Sequence, residues 1–221
     1  MRILYHHPLF PAARAARVAL AEKTLAFDAV LEKPWERREE FLRHSPAGEV
    51  PVLVDEDGTV VVRAAILEYL EDAYPGTPLI WGTPGDRAEI RRLVEWFLFK
   101  ASQEVTDNLV GERYLKRLSG QGYPSAHTIR AGIANIHYHL DYIAFLAERR
   151  TWLAGDALSL ADVVAGAQLS VLDYIDAVPW AEHQDAKDWY ARIKSRPSFR
   201  PLLADQVQGI LPPAHYADLD F

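Results

Sequence analysis

A break rich in proline and glycine constrains the fold of this chain more than any other sequence feature. Residues 75–85 hold three prolines and three glycines in eleven positions, a composition that ends regular structure. Strand and helix patterns alternate before the break, whereas the pattern after it is helical throughout. The sequence therefore predicts a small α/β domain followed by an all-helical one.

The segment before the break predicts the element order β-α-β-α-β-β-α. Two β-branched runs flank an Asp-Glu-Asp-Gly turn, which is typical of a hairpin. An alanine-rich stretch and a later stretch with apolar residues at helical spacing predict two helices. The predicted strands cover residues 2–5, 27–31, 50–54 and 59–62, and the helices cover 11–23 and 64–74, with a short helix or loop at 34–40.

Long helical patterns dominate the segment after the break. Their apolar residues recur at helical spacing, and the last of them ends at an Arg-Pro pair. The predicted helices cover residues 87–118, 128–150, 158–176 and 185–195.

Composition narrows the possible functions. The 221 residues carry a net charge of −7, which disfavours a nucleic-acid partner. The lack of cysteine removes thiol nucleophiles, thiolate metal sites and disulfides. No stretch approaches the 18 or so apolar residues of a membrane span, and the N-terminus lacks a long apolar stretch. We therefore expect a cytoplasmic protein without membrane insertion.

Four short motifs occur in a fixed order along the chain. Ser159 and Asp162 belong to one of them and have the spacing of a helix capping box, which we expect to be structural. The motifs are residues 8–23 (PLFPAARAARVALAEK), 45–53 (SPAGEVPVL), 159–162 (SLAD) and 196–199 (RPSF). Together they resemble the glutathione transferase family over nearly the whole chain.

This resemblance implies the two-domain α+β fold of glutathione transferases. It divides the chain into a thioredoxin-like N-terminal domain (1–76), a linker (77–85), an all-α helical bundle (86–211) and a C-terminal tail (212–221). It also implies a cis peptide bond before Pro51, with Val50 offering its backbone to the cysteinyl part of glutathione. An ordinary trans proline at the start of a strand is the alternative.

The first loop lacks the residue that transferase catalysis needs. A hydroxyl or thiol must lie beside the glutathione sulfur to stabilise the thiolate. The resemblance places this serine of bacterial transferases at Phe10, whose ring donates no hydrogen bond and adds bulk. Tyr5, His6 and His7 are the alternative donors.

A second loss concerns the γ-glutamyl end of glutathione. The resemblance expects an acidic residue and a serine after the hairpin, where this chain has Arg63 and Ala64. Each lost hydrogen bond to a charged group costs about 1.5–3 kcal/mol, so several losses weaken binding roughly a hundredfold. We therefore predict no catalytic residue, no cofactor, and a degenerate glutathione pocket formed by Phe10, Val50, Pro51, Arg63 and Ala64.

The tail and one tryptophan are candidate partner-binding features. Two prolines stop regular structure at the start of the tail, and aromatic and acidic residues follow. Such a strip either docks a partner or folds back, packing Tyr216 and Phe221 onto the helical domain. Trp35 is likewise either an exposed anchor or a packed side chain. The candidate partner-binding residues are Trp35, His215, Tyr216, Asp218, Asp220 and Phe221.

The tail, Phe10 and residues 33–35 are similar to an α-proteobacterial branch of the family, the glutathione-transferase-like division proteins. That similarity implies a non-catalytic homodimer that binds filaments of the tubulin-like protein FtsZ and regulates constriction. Two alternatives stay open. One is an active transferase that conjugates reduced glutathione to electrophiles, and the other is a structural or stress-associated relative with another protein partner.

His137 and His139 resemble a pair of metal-binding histidines. Residues two apart on a helix point to different faces, however. We therefore expect one histidine near the surface, the other in packing, and no metal site.

Overall fold

Four short strands form one mixed sheet in the N-terminal half of the computed structural model, which describes residues 1–219. The strand order is β2-β1-β3-β4, with β1 and β2 parallel and the other neighbours antiparallel. Leu4 and Leu53 are opposite each other in the sheet and fully buried. All four predicted strands are confirmed; they are β1 (Arg2–His6), β2 (Phe27–Leu31), β3 (Val52–Val54) and β4 (Val60–Val62).

Most of the remaining secondary structure is helical, and helices pack against the sheet. They are α1 (Pro11–Glu22), α2 (Glu39–Leu42), α3 (Ala65–Ala73), α4 (Pro84–Glu95), α5 (Lys116–Leu118), α6 (Ala126–Ala147), α7 (Leu160–Tyr174), α8 (Gln184–Lys194) and α9 (Arg200–Leu203). Turns of π-helix join α4 to α5, so the predicted helix 87–118 is one long helix. Single 3-10 turns lie at Pro34–Glu36, Trp180–Glu182 and Ala214–Ala217. The sequence patterns did not predict α9 or the turn in the tail.

The helix α7 lies at the centre of the molecule and is buried along its whole length. It packs against α1 of the N-terminal domain and against α4 and α8 of its own domain. Small side chains allow the close approach: a Cβ atom at Gly166 would lie 3.1 Å from the Ile193 side chain. One continuous apolar core therefore spans both domains, and it contains Leu4 as well as Val163.

The predicted linker is packed rather than free. Leu79 and Ile80 are buried, and their backbone amides donate to the Glu71 carboxylate. The Trp81 indole donates to the Leu158 carbonyl oxygen at 2.8 Å, and the Leu79 carbonyl accepts from the Leu160 amide. These bonds hold the segment against both domains.

Within residues 1–219, no helix is both long enough and apolar enough to cross a bilayer.

Candidate functional site

Phe10 is the N-cap residue of α1. Its backbone is extended, and its side chain makes no capping hydrogen bond. Its carbonyl oxygen accepts from the amides of Ala13 and Arg14, and Pro11 takes the first helical position. The phenyl ring is half-buried and packs against the core. This helix start therefore presents a hydrocarbon ring, with no hydroxyl or thiol, to the cleft between the domains.

The peptide bond between Val50 and Pro51 is cis, as the sequence resemblance implied. Val50 is buried, and the Pro51 carbonyl oxygen accepts from the Arg63 amide at 2.8 Å. This bond ties the cis-proline loop to the segment that leads into α3.

Arg63 and Ala64 precede α3 and provide no side-chain cap. The Arg63 backbone has a φ of 52°, in the left-handed region that non-glycine residues seldom adopt. Its guanidinium is largely exposed and donates to the Glu49 carboxylate at 2.6 Å. The positive charge that replaces the expected acid is therefore already paired within the chain.

One cavity of about 260 Å³ brings four of the five predicted pocket residues together. Phe10, Val50, Arg63 and Ala64 line its N-terminal side, whereas Pro51 does not line it. The opposite wall comes from the long helix and was not predicted residue by residue. Phe99, Gln103 and Asp107 of this wall recur every fourth residue, a spacing that could have indicated a shared face. The wall residues are Leu98, Phe99, Ser102, Gln103 and Asp107.

Trp35 lines a second cavity, of about 300 Å³, which Phe10 also lines. It is half-buried, and its ring meets the His7 ring edge-on with centroids 5.0 Å apart. His7 also contacts Phe10, at 5.8 Å between centroids. Trp35 is therefore neither a free surface anchor nor a core residue, because one side packs on the cleft loop while the other borders the cavity.

The alternative donors do not line the 260 Å³ cavity. His6 and His7 are buried, and burial lowers the pKa of each to about 4, so both are neutral at pH 7. The Nδ1 atom of His7 accepts from the Leu9 amide. Tyr5 is half-buried and packs on Phe41. A thiolate bound in this cavity would gain no hydrogen bond from these three side chains as they stand.

The tail folds back onto the molecule, which corrects the prediction of Tyr216 as a docking residue. Tyr216 is fully buried. Its hydroxyl accepts from Arg14 Nη1 at 2.5 Å and donates to the Leu202 carbonyl oxygen at 2.9 Å. Arg14 is also fully buried, and its Nε donates to the Pro8 carbonyl oxygen. A buried charge is costly unless it is hydrogen-bonded, so the bond from Arg14 to Tyr216 stabilises the folded tail. Tyr216 therefore anchors the tail and is not available to bind another protein.

Two other tail candidates stay at the surface. His215 is partly exposed, and its Nε2 is 3.0 Å from Asp173 Oδ1, while its carbonyl oxygen accepts from Lys194 Nζ. Asp218 is exposed. The other two candidates, Asp220 and Phe221, lie outside the described residues.

The predicted capping box at the start of α7 is present and buried. Asp162 accepts from the Ser159 amide at 3.0 Å and from the Ser159 hydroxyl at 2.9 Å. It also accepts from the Leu153 amide and the Trp189 indole. Burial raises the pKa of this carboxyl, and the four hydrogen bonds oppose that shift. Both side chains have a structural role because neither reaches the cleft.

His137 and His139 point to different faces of α6, as predicted. His139 is buried, and its Nδ1 accepts from the Trp96 indole at 3.1 Å. His137 is partly exposed and contacts His183 instead. Within residues 1–219, no three histidine, aspartate or glutamate side chains form a group that could hold a metal ion.

Sequence comparison assigns both halves of the chain. The sequence model of the glutathione S-transferase N-terminal domain matches residues 11–73, and that of the C-terminal domain matches residues 137–197. The chain belongs to the glutathione S-transferase family. A curated relative, FtsZ-localized protein A of Caulobacter vibrioides, is 45% identical over 100% of this chain and 98% of its own length.

Solved structures of this family are closely similar over the whole chain. A glutathione S-transferase from Rhodospirillum rubrum F11 is 55% identical, with a TM-score of 0.96 and complete coverage of both chains. FzlA from C. crescentus is 46% identical, with a TM-score of 0.95, over 100% of this chain and 99% of its own. The overall fold is therefore shared between proteins that carry different functional names, and the cleft chemistry must distinguish between them.

Proposed function

We propose that this chain is a non-catalytic, homodimeric glutathione-transferase-like protein that binds FtsZ filaments and regulates bacterial cell division. The FtsZ part of the proposal is supported by the full-length similarity to FtsZ-localized protein A. The observation that carries the non-catalytic part is Phe10, whose ring occupies the start of α1 next to the cis-proline loop. We place the protein in the cytoplasm, at the division site, without a cofactor.

The chemistry of glutathione activation supports a loss of catalysis. Transferases lower the pKa of the bound thiol and stabilise its thiolate with a hydrogen-bond donor. The carbon atoms of the Phe10 ring cannot donate. Because His6 and His7 are buried and neutral, they add no positive charge near the sulfur position. A bound thiol would stay protonated at pH 7 and react slowly.

The γ-glutamyl subsite carries a positive charge where the family resemblance expects a negative one. The Arg63 guanidinium would repel the γ-glutamyl ammonium, and Ala64 offers no hydroxyl to the neighbouring carboxylate. Arg63 could meet that carboxylate only by giving up or sharing its bond to Glu49. The γ-glutamyl end of glutathione would thus lose an attraction to its ammonium and a hydrogen-bond donor to its carboxylate.

We propose that FtsZ contacts the surface around Trp35 and the exposed part of the tail. Trp35 borders an open cavity, while His215 and Asp218 remain accessible. Asp220 and Phe221 belong to this proposal by their position in the sequence. A dimer would present two such surfaces, and two weak contacts to one filament combine into a much tighter one.

Co-sedimentation with polymerised FtsZ tests this proposal. Wild-type protein should pellet with GTP-assembled filaments, and Trp35→Ala and Asp218→Lys should each weaken binding roughly tenfold or more, as expected at hot-spot residues. The matched controls are Tyr123→Ala and Asp156→Lys, which change an exposed aromatic residue and an exposed aspartate elsewhere. Wild-type protein that stays in the supernatant would overturn FtsZ binding.

The tail requires a careful deletion. Removing all of residues 212–221 would also remove the Tyr216 anchor and expose the Arg14 charge. Deleting only residues 218–221 keeps the anchor, so a loss of binding can be assigned to the surface. Full binding by this shorter deletion would exclude the end of the tail from the FtsZ contact.

An active glutathione transferase is the second candidate. The cis Val50–Pro51 bond and the interdomain cavity of about 260 Å³ favour it, since both are parts of a glutathione site under the family resemblance. Turnover of a general electrophilic substrate with reduced glutathione tests this function. Activity that is lost in His7→Gln or Ser102→Ala would establish it and identify the substitute donor.

A further inference from the structure

A histidine of α6 and the N-cap histidine of α8 face each other on the helical domain. His137 lies in the middle of α6, and His183 immediately precedes α8. The Nδ1 atom of His137 is 2.8 Å from the Nε2 atom of His183, and the ring centroids are 5.0 Å apart. The sequence does not reveal this contact, because 46 residues separate the two positions.

A carboxylate orients the pair. Asp141 lies one helical turn after His137, and its Oδ1 is 3.2 Å from His183 Nδ1. A carboxylate accepts hydrogen bonds, so His183 carries its proton on Nδ1 and turns the lone pair of Nε2 toward His137. This carboxylate–histidine contact is the one that commonly holds metal-binding histidines in place. The Glu182 carboxylate, 3.9 Å from His137 Nδ1, adds negative charge nearby.

We propose that His137 Nδ1 and His183 Nε2 bind one divalent transition-metal ion of the Zn²⁺ class, with Asp141 orienting His183. Two imidazole nitrogens favour Zn²⁺, Ni²⁺ or Cu²⁺ over Mg²⁺ or Ca²⁺, which prefer oxygen. Because no group of three candidate ligands exists within residues 1–219, the ion takes two protein ligands and completes its shell with water. This site departs from the sequence prediction, which rejected a His137–His139 pair and expected no metal.

The rings need only a small rotation to accept the ion. With Zn–N bonds of about 2.0–2.1 Å, tetrahedral geometry places the two nitrogens about 3.3 Å apart and the ring centroids about 5.2 Å apart. The observed distances are 2.8 Å and 5.0 Å. The centroids can therefore stay almost in place while the nitrogens turn outward. In the observed pair His137 Nδ1 donates to His183 Nε2, so binding of the ion requires the His137 proton to move to Nε2 by exchange with water, which the partial exposure of this ring permits.

Such an ion would join α6 to the start of α8. His183 is the N-cap residue of α8, so fixing its ring also fixes the position of that helix start. Since the unfolded chain would not hold the two rings together, the ion stabilises the folded state by mass action.

Calorimetric titration of the full-length protein, prepared without a histidine tag, tests the site with ZnCl₂. We expect one Zn²⁺ per chain with micromolar affinity. At a free Zn²⁺ concentration 100 times Kd, the Tm should rise by roughly 5–10 °C. MgCl₂ at the same concentration should have no effect. Absence of Zn²⁺ binding by the wild-type protein would overturn the proposal.

Variants assign the ligands. His137→Gln and His183→Gln should each weaken Zn²⁺ binding at least tenfold, and Asp141→Asn should weaken it roughly 10–100-fold. The control is His127→Gln, which removes an exposed histidine from the first turn of the same helix and should leave Kd unchanged.

The variants also separate this site from surface binding. Unchanged affinity in His137→Gln would overturn the site, and this variant decides the question if His183→Gln fails to fold. Equal losses in His127→Gln and His137→Gln would show unspecific surface binding and would also overturn it. Wild-type affinity in Asp141→Asn would remove Asp141 from the proposal.

Discussion

The N-terminus of α7 and the N-terminus of α1 face the same requirement, because each leaves backbone amides without partners in the helix. At α7, Ser159 and Asp162 supply those partners in the interior. At α1, Phe10 supplies no side-chain cap and its ring faces the interdomain cleft.

Under the loss of catalysis that we propose, this difference indicates which parts of a transferase fold are free to change. A buried helix start needs protein partners whatever the protein does, because leaving its donors unpaired is costly. A helix start that opens to a ligand site is constrained mainly by the ligand. On our proposal, Phe10, Arg63 and Ala64 are tolerated because no glutathione has to be held, whereas folding requires the α7 cap.

Removing the α7 cap gives the largest expected effect. Asp162→Ala leaves buried donors of Ser159, Leu153 and Trp189 without their acceptor. With about 1–3 kcal/mol for each unsatisfied donor, unfolding free energy should fall by about 4 kcal/mol or more. Urea denaturation measures the loss. A decrease below about 1 kcal/mol would show that the two helix starts do not differ as we argue.

The second-largest expected effect is a loss of unfolding free energy at low pH, through two histidines next to the cleft. The folded pKa of His6 and of His7 is about 4, below the usual 6.5, so the unfolded chain binds protons more readily. Stability is therefore full above pH 6.5 and falls as the pH drops toward 4, by about 3 kcal/mol for one histidine.

Urea midpoints at pH 7 and pH 4.5 measure this dependence. His6→Gln should flatten it, since one of the two histidines with a pKa of about 4 is then removed. An equal slope in His6→Gln and wild type would assign the pH dependence to other groups, such as His139, whose pKa burial also lowers.

The tail anchor should have an intermediate effect. Tyr216→Phe removes the hydroxyl that accepts from Arg14 and keeps the ring in the core. Hydrogen bonds to charged groups contribute about 1.5–3 kcal/mol, so we expect a loss of about 2 kcal/mol in urea denaturation. Tyr123→Phe, at a side chain that is 94% exposed, is the control and should change nothing. Equal stability of both variants would mean that the tail is not anchored through this bond.

Changing the α1 start should have the smallest effect on stability. Phe10→Ser loses the packing of a half-buried ring but gains a side-chain cap that contributes about 1 kcal/mol. These changes offset each other, and the unfolding free energy should change by less than about 1 kcal/mol. A loss as large as that of Asp162→Ala would show that Phe10 is needed for folding and that its presence says little about catalysis.

Local patterns explain why much of this fold could be predicted. Alternating β-branched runs, the Pro-Gly break and the Ser159–Asp162 spacing each act within a few residues, and the structure contains the corresponding elements. The cis bond at Pro51 and the grouping of Phe10, Val50, Arg63 and Ala64 were inferred from the family resemblance.

Long-range contacts explain what could not be predicted. Tyr216 is buried because Arg14, 202 residues earlier, needs a buried acceptor. Trp35 is half-buried because His7 packs against it. His137 meets His183 only because α6 and α8 pack side by side. Periodicity and short motifs involve residues close together in the sequence, so they do not predict such long-range contacts.

Calorimetric titration with reduced glutathione, carried to about 10 mM, tests the central claim most directly, since even a −3 kcal/mol interaction begins to register there. The triple variant Phe10→Ser, Arg63→Glu, Ala64→Ser restores the donors that the family resemblance expects and is the matched comparison. We predict heats of dilution only for the wild-type protein and measurable binding for the triple variant. Sub-millimolar binding by the wild-type protein would contradict the account and place the transferase function first.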